Sequence, residues 1–371
     1  MSLFQSEFKE SNHSYPPDHI YLNGSLYNDN YTNASLAQYV PAEISQTRTS
    51  PFLTNSSAFN VAITRFAISA DCIPRVSQPL DTTPSNTYWF VSLSYNGVYY
   101  DAPVVIPTSV DPTGQPAKVL YSVQAFIDFV NDAWLVAQNA AQVGGAPTGP
   151  GQIFFSYDNT QGFYNLNIPS WYGLGITGNV PSDGIGVHMS LGLYDLFGSY
   201  NAILPRGPSI TYNNHEITFI RELTGFNYNT NVTYPAYGTT GDYIQLQQDV
   251  PLPSSIMNVH RLVITTNLPI YPSFTAPIFT SNLTEGGNNT LKMLTDFYIG
   301  HDGTLEQDNG TLKYVATGLL RLVSLAGSVP VQNWDLKVYY VTAENEAYPL
   351  YIPPGGELSI DLLFLKKGLT S

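Results

Sequence analysis

The sequence predicts a mainly β protein, an antiparallel sandwich or barrel with a helix-bearing insertion. Three observations point there. Short runs rich in β-branched and aromatic residues recur along the chain between Gly- and Pro-containing turns, as in an all-β domain rather than a parallel α/β sheet. Sustained helical spacing occurs in one segment, after Ser122. The C-terminal stretch, Gln332–Ser371, holds two strand patterns divided by Pro353-Pro354-Gly355-Gly356.

In that last stretch, Trp334–Thr342 has strand composition, Ala343–Glu346 reads as a connection, and Glu357–Leu365 as a second strand. Leu358, Ile360, Leu362 and Phe364 fall on one face, Ser359 and Asp361 on the other. Leu363 and Leu365 make its far end apolar on both faces, as in a strand covered from both sides. Lys366 and Lys367 stop it, a usual guard against further edge pairing. The two strands are expected to close a sheet, with Leu336, Val338, Tyr340, Leu358, Ile360, Leu362 and Phe364 as its core residues.

From the other end, residues 1–50 are polar and show no sustained period, so they read as an arm ordered only when something holds it. Lys9 and Arg48 stand there against Glu7, Glu10, Asp18, Asp29 and Glu43, which favours a protein partner over nucleic acid. The Asn-x-Ser/Thr triplets at Asn23, Asn30, Asn33 and Asn55 read as composition, because the N-terminus has no signal-peptide apolar core. Phe59–Ile68 alternates as a strand and ends at Pro74. Tyr88–Tyr95, Asn96-Gly97 and Val98–Tyr100 form a hairpin with a type I′ turn signature. The helix carries Val123, Phe126, Ile127, Val130, Ala133, Trp134 and Ala137 on one face, with Ser122 as its cap and Gly144-Gly145 past its end. A second hairpin joins Gln152–Tyr157 to Phe163–Ile168, and Val187–Ser190 and Leu191–Tyr200 read as a strand and a short helix or turn. Strands are then expected near Ile217–Arg221, Tyr243–Gln247, Val259–Thr265, Leu291–Ile299, Leu312–Val315 and Leu319–Leu325. This gives an arm (1–50), a β domain (51–106 and 211–371) and an insertion (107–210) holding the helix and a hairpin.

Composition narrows the function. Only 11% of residues are charged, far below the usual quarter, while Tyr, Asn, Ser and Thr are abundant. Such a surface is cheap to desolvate against other protein. A net charge of −14 opposes a main role in gripping phosphate. The single cysteine, Cys72, allows no intrachain disulfide, and beside Ile73 and Pro74 it reads as a small buried residue. No apolar run reaches the length of a membrane span.

Catalytic motifs fail on context. Gly173-Leu-Gly-Ile-Thr-Gly178 matches the dinucleotide glycine pattern, but Pro181-Ser-Asp-Gly184 follows where a helix must begin, so it reads as a loop. Gly144–Gly151 lacks the Gly-Lys-Ser/Thr of a P-loop, and no Ser sits in a Gly-x-Ser-x-Gly elbow. The histidines at 13, 19, 188, 215, 260 and 301 are scattered, without zinc-ligand spacing. Asp302, Glu306 and Asp308 gather three carboxylates without EF-hand spacing; a solvated turn is the simpler reading and an interfacial calcium site the alternative. Tyr88-Trp89-Phe90 reads as core or interface rather than a stacking platform for sugars. The chain is expected to be no enzyme and to need no cofactor.

Taken in order, several segments resemble a known family. Phe59–Ser69 ending near Ile73-Pro74, then Tyr121–Asn131, Phe154–Asp158 and Leu193–Tyr200, then Trp334–Lys367, are similar to blocks of the penton or minor capsid proteins of polinton-like viruses, virophages and adintoviruses. The resemblance implies an antiparallel jelly-roll sandwich with an outward insertion domain and no catalytic residues. It further implies a structural protein of an icosahedral double-stranded DNA virion, forming a homopentamer at the fivefold vertices. Its partners would be its own copies, neighbouring major capsid protein subunits and a host receptor. A single-jelly-roll major coat subunit and a carbohydrate- or receptor-binding β domain are the competing readings.

Overall fold

The computed structural model describes residues 18–29, 39–78, 89–106, 109–110, 116–158, 163–172, 184–197, 200, 202–203, 217–219, 227–234, 239–248, 259–271, 274–275, 290–299, 306–308, 310–317, 320–342 and 347–368. Its main strands begin with β1 (His19–Tyr27), β2 (Glu43–Thr47) and β3 (Phe59–Ser69). There follow β4 (Phe90–Tyr95), β5 (Val98–Pro103), α1 (Val123–Val143), β6 (Phe154–Asp158), β7 (Phe163–Pro169) and β8 (Gly186–Met189). Next come α2 (Leu191–Phe197), β9 (Ile217–Phe219), β10 (Asn227–Tyr234) and β11 (Thr239–Gln247). The chain closes with β12 (Val259–Thr266), β13 (Met293–Tyr298), β14 (Thr311–Val315), β15 (Asn333–Thr342) and β16 (Glu357–Lys366). It divides into two compact units, one of Met1–Pro74, Val110–Ala117 and Asn258–Ser371, the other of Arg75–Ser109 and Lys118–Met257.

The first unit is a jelly roll. Its strands form two antiparallel sheets, one running β1-β16-β3-β14, the other β2-β15-β12-β13. Numbered along the unit, the first sheet holds the first, eighth, third and sixth strands, and the second holds the second, seventh, fourth and fifth. That winding is the double Greek key of a jelly roll. Apolar faces of the two sheets meet. Phe66 on β3 stacks on Phe297 of β13 with centroids 5.0 Å apart, and Phe297 lies 4.8 Å from the Tyr314 ring of β14. At the β1 side Gly24 packs directly against Ile44 of β2 and Trp334 of β15.

Four expectations change here. The polar segment 1–50 is not all arm, since His19–Tyr27 and Glu43–Thr47 are the first two strands of the roll. They are held by pairing partners more than 280 residues away, which no local pattern reveals. The terminal strands do not share a sheet. β15 and β16 lie in opposite ones, because the Pro-Gly break carries the chain across the sandwich. That break is a type II turn, with Gly355 at φ 83° and Gly356 N donating to Pro353 O at 2.9 Å. Asn28 straps it to the end of β1, donating from Nδ2 to Ile352 O at 2.8 Å. β16 is also no edge, for it pairs with β1 on one side and β3 on the other. Of the expected strand Leu319–Leu325, among the described residues Val323–Ser324 pairs as a strand, with Val61 and Asn60.

Among its described residues, the second unit holds α1, a short ladder of Val76–Ser77 with Val119–Leu120, and two larger sheets. One contains β9-β8-β4-β5 with Ala202–Ile203 beyond β9, the other β6-β7-β11-β10. Asn96 at φ 50° and Gly97 at φ 76° make the type I′ turn between β4 and β5. Ser122 Oγ accepts from Ala125 N at 3.3 Å and caps α1. Phe126, Ile127, Val130, Trp134 and Ala137 are buried from this helix. They pack with Val91, Leu93, Phe155, Leu166 and Phe197 in one core. The expected insertion bounds, 107–210, are therefore too narrow. The hairpin β4–β5 belongs here because β8 pairs with β4, and β11 belongs here because it pairs with β7.

Candidate functional site

The residues singled out from the sequence fall into three groups. Leu336, Val338 and Tyr340 lie on β15 and Leu358, Ile360, Leu362 and Phe364 on β16, all buried. They sit in two facing sheets rather than one. Asp302 lies outside the described residues, while Glu306 and Asp308 sit on a three-residue strand paired with Thr311–Lys313. Among the described residues, no group of three or more His, Cys, Asp or Glu is placed to hold a metal. Gly173–Gly178 also lies outside them.

The reactive side chains that are described have structural surroundings. Cys72 is fully buried, and burial pushes its thiol up to about 11, which leaves it protonated and unreactive near neutrality. His188 on β8 is buried, with Nε2 2.8 Å from Ser94 Oγ and Nδ1 3.0 Å from Thr218 Oγ1. Its ring thus lies between two hydroxyl groups on neighbouring strands of one sheet. Trp89 is buried edge-on against Phe126 at 5.4 Å, as core. All three side chains are turned away from the surface.

On the jelly roll, that surface is uncharged and aromatic at β1 and charged on the other sheet. Tyr21 and Tyr27 project from β1, 61% and 56% exposed. Across the outer face of the same sheet, Asn23 Nδ2 donates to Asp361 Oδ1 at 2.6 Å. On the second sheet, Asp296 of β13 takes Arg261 and Arg321, each at 3.3 Å. Arg261 and Asp296 are 17% and 21% exposed and Arg321 47%, and ion pairs that reach solvent add little to stability. On the second unit, Leu135, Val136 and Val143 of α1 and Val98 and Tyr99 of the hairpin are exposed. An uncharged surface of this kind can meet other protein at low desolvation cost.

Comparison with known proteins decides what kind of surface this is. The profile of the Sputnik minor capsid protein V18/19 family matches residues 20–366, from β1 through β16. The chain belongs to that family. It is a structural protein of the virion shell. It is 29% identical over 226 residues to Structural protein V19 of Sputnik virophage, covering 58% of this chain and 95% of that protein. A chain in the cryo-EM structure of the Sputnik virophage superposes with a TM-score of 0.67 at 25% identity, covering 96% of this chain and 99% of that one. The mavirus penton protein shares the fold, with a TM-score of 0.54 at 15% identity over 94% of this chain and 100% of that one.

Sequence reading missed β1 and β2, the first strands of the roll. A signal was present: Ile20, Leu22 and Leu26 alternate with His19, Tyr21, Asn23, Ser25 and Tyr27. Gly24 interrupts the apolar series, and it does so because Ile44 and Trp334 occupy the space of a side chain.

Proposed function

We propose that this chain is the penton of its virion, five copies closing a ring at each fivefold vertex. The observation that carries the reading is an eight-strand jelly roll, among the described residues, with a second compact unit inserted between its third and fourth strands, in a chain of the minor capsid family. The fold shared with the mavirus penton protein supports it. A ring of five uses one contact repeated by rotation, with different surfaces of each copy meeting. Such a contact buries on the order of 1,000 Å² or more per pair. In a chain of net charge −14, the uncharged, tyrosine-bearing regions are where copies approach without like-charge repulsion. The ring seats among neighbouring major capsid protein subunits, and the inserted unit is the part left for outward contacts, including a host receptor.

The same acidity keeps the subunit from binding packaged DNA non-specifically. An icosahedral reconstruction of the virion tests the assignment. Density at the fivefold axes should fit five copies of this fold. Density for it only at other lattice positions would assign the chain to the general shell instead.

A further inference from the structure

β1 is an outer strand of its sheet. It pairs with β16 on one side, and among the described residues no strand pairs with the other. Which backbone groups face outward follows from the ladder. Lys366 N donates to Asp18 O at 2.9 Å, Asn28 N to Gly356 O at 3.1 Å, and Gly355 N to Asn28 O at 2.7 Å. The register between these ends is unbroken. Alternation therefore turns the N–H and C=O of the even-numbered residues toward β16 and those of His19, Tyr21, Asn23 and Ser25 outward. Gln46 Nε2 donates to Asn23 O at 3.2 Å, from the outward side.

Apart from Gln46 at the Asn23 carbonyl, this edge has few of the usual guards against strand addition. Its nine residues include no charge, no Pro and no bulge. The strand at the far side of the same sheet, Glu306–Asp308, is three residues long with two acids.

We propose that the outer edge of β1 takes a strand supplied by residues 2–9 of a second copy of the chain. The inference rests on the reading that copies meet in a ring, and it names what crosses between them. Residues 1–17 lie outside the described structure and lead directly into β1. Within them, Ser2–Lys9 carries one acid and one base, Glu7 and Lys9. A neutral segment against an uncharged edge meets no repulsion in a chain that is otherwise strongly acidic. Phe4 and Phe8 share a parity and would fall on one face of an added strand, for cross-strand pairing with the exposed Tyr21 or Tyr27.

The donor belongs to another copy because of Pro16 and Pro17, which stand immediately before Asp18. Neither can donate to a ladder, and each biases the residue before it to extended backbone, so the sequence before β1 favours an extended run over an immediate turn back onto the chain's own β1. The spacer 10–17, at about 3.3 Å per residue, reaches roughly 26 Å, wider than a five-strand sheet at ~4.8 Å per strand.

The test uses full-length protein with isotopically light and heavy chains. One carries Ser25→Cys and the other Gln5→Cys, Ser6→Cys or Glu7→Cys. The native thiol does not compete, because Cys72 is buried. The expected result is a disulfide joining residue 25 of one chain to the N-terminal cysteine of the other. No such link, or links only within one chain, overturns the proposal. Ser25→Pro gives a second reading, since it removes an outward N–H and leaves the β16 ladder intact. Its melting temperature should stay within a few degrees of the parent while self-association weakens tenfold or more, with Ser25→Ala unchanged in both. Undiminished association of Ser25→Pro overturns the strand. A ring of five that forms without the cross-link retains the penton reading and removes only this contact.

Discussion

A Cβ on Gly24 would lie 2.6 Å from Ile44 Cγ2 and 2.9 Å from Trp334 Cη2, so this glycine sets how closely the two sheets approach at the β1 side. Gly24→Val should lower stability by about 1–3 kcal/mol through overpacking, read as a lower denaturant midpoint; an unchanged midpoint would show that the sheets can part there. Ile360 is fully buried between Phe66 and Gly24 in the ladder. Ile360→Asp places an unpaired charge in the core and should yield no soluble folded protein. Recovery of soluble, normally folded variant would refute that core position. Cys72 gives a pH dependence. Burial raises its thiol from the ordinary 9.0 to about 11. The folded chain thus holds that proton more tightly than the unfolded chain, so this contribution is complete below about pH 9 and is lost as pH rises toward about 11. Tyr164, raised to about 12 by burial, acts in the same direction at higher pH. The fall in denaturant midpoint between pH 9 and 11 should be shallower in Cys72→Ala; equal slopes would contradict the assignment.

Among the elements, what the sequence made legible was local. The cap at Ser122, the face of α1, and the Asn96-Gly97 turn depend on residues within a few positions of each other. The membership of hairpin β4–β5 in the second unit depends on β8, some ninety residues on, and could not be read from either segment. Buried polar positions were similarly hidden. Asn131 sits on the inner face of α1, where its side chain donates to Phe155 O at 3.1 Å and accepts from Phe155 N at 2.7 Å. It completes the backbone pairing of β6, an outer strand of its sheet. Asn131→Leu leaves two buried backbone groups unsatisfied and should cost about 2–5 kcal/mol, measured as a shift in thermal or denaturant midpoint of the full chain. A shift under ~1 kcal/mol would mean that water or another side chain takes over. β1 itself was missed for a reason of the same kind, since its central apolar position is a glycine that only the facing sheet explains.

At the scale of the molecule, the account links an uncharged, tyrosine-bearing surface, a jelly roll and family membership to assembly in a virion shell. Acidity and the scarcity of charged side chains belong to that scale. They leave the fold unspecified and govern which surfaces can meet. For that work the described residues offer a strand edge at β1 and exposed aromatics such as Tyr21 and Tyr27. The absolute mass of the purified full-length chain in solution, by light scattering behind a sizing column, tests the central claim most directly. The account predicts a species near five times the 40.8 kDa of one chain. A stable trimer would contradict it and move the protein to another position in the coat.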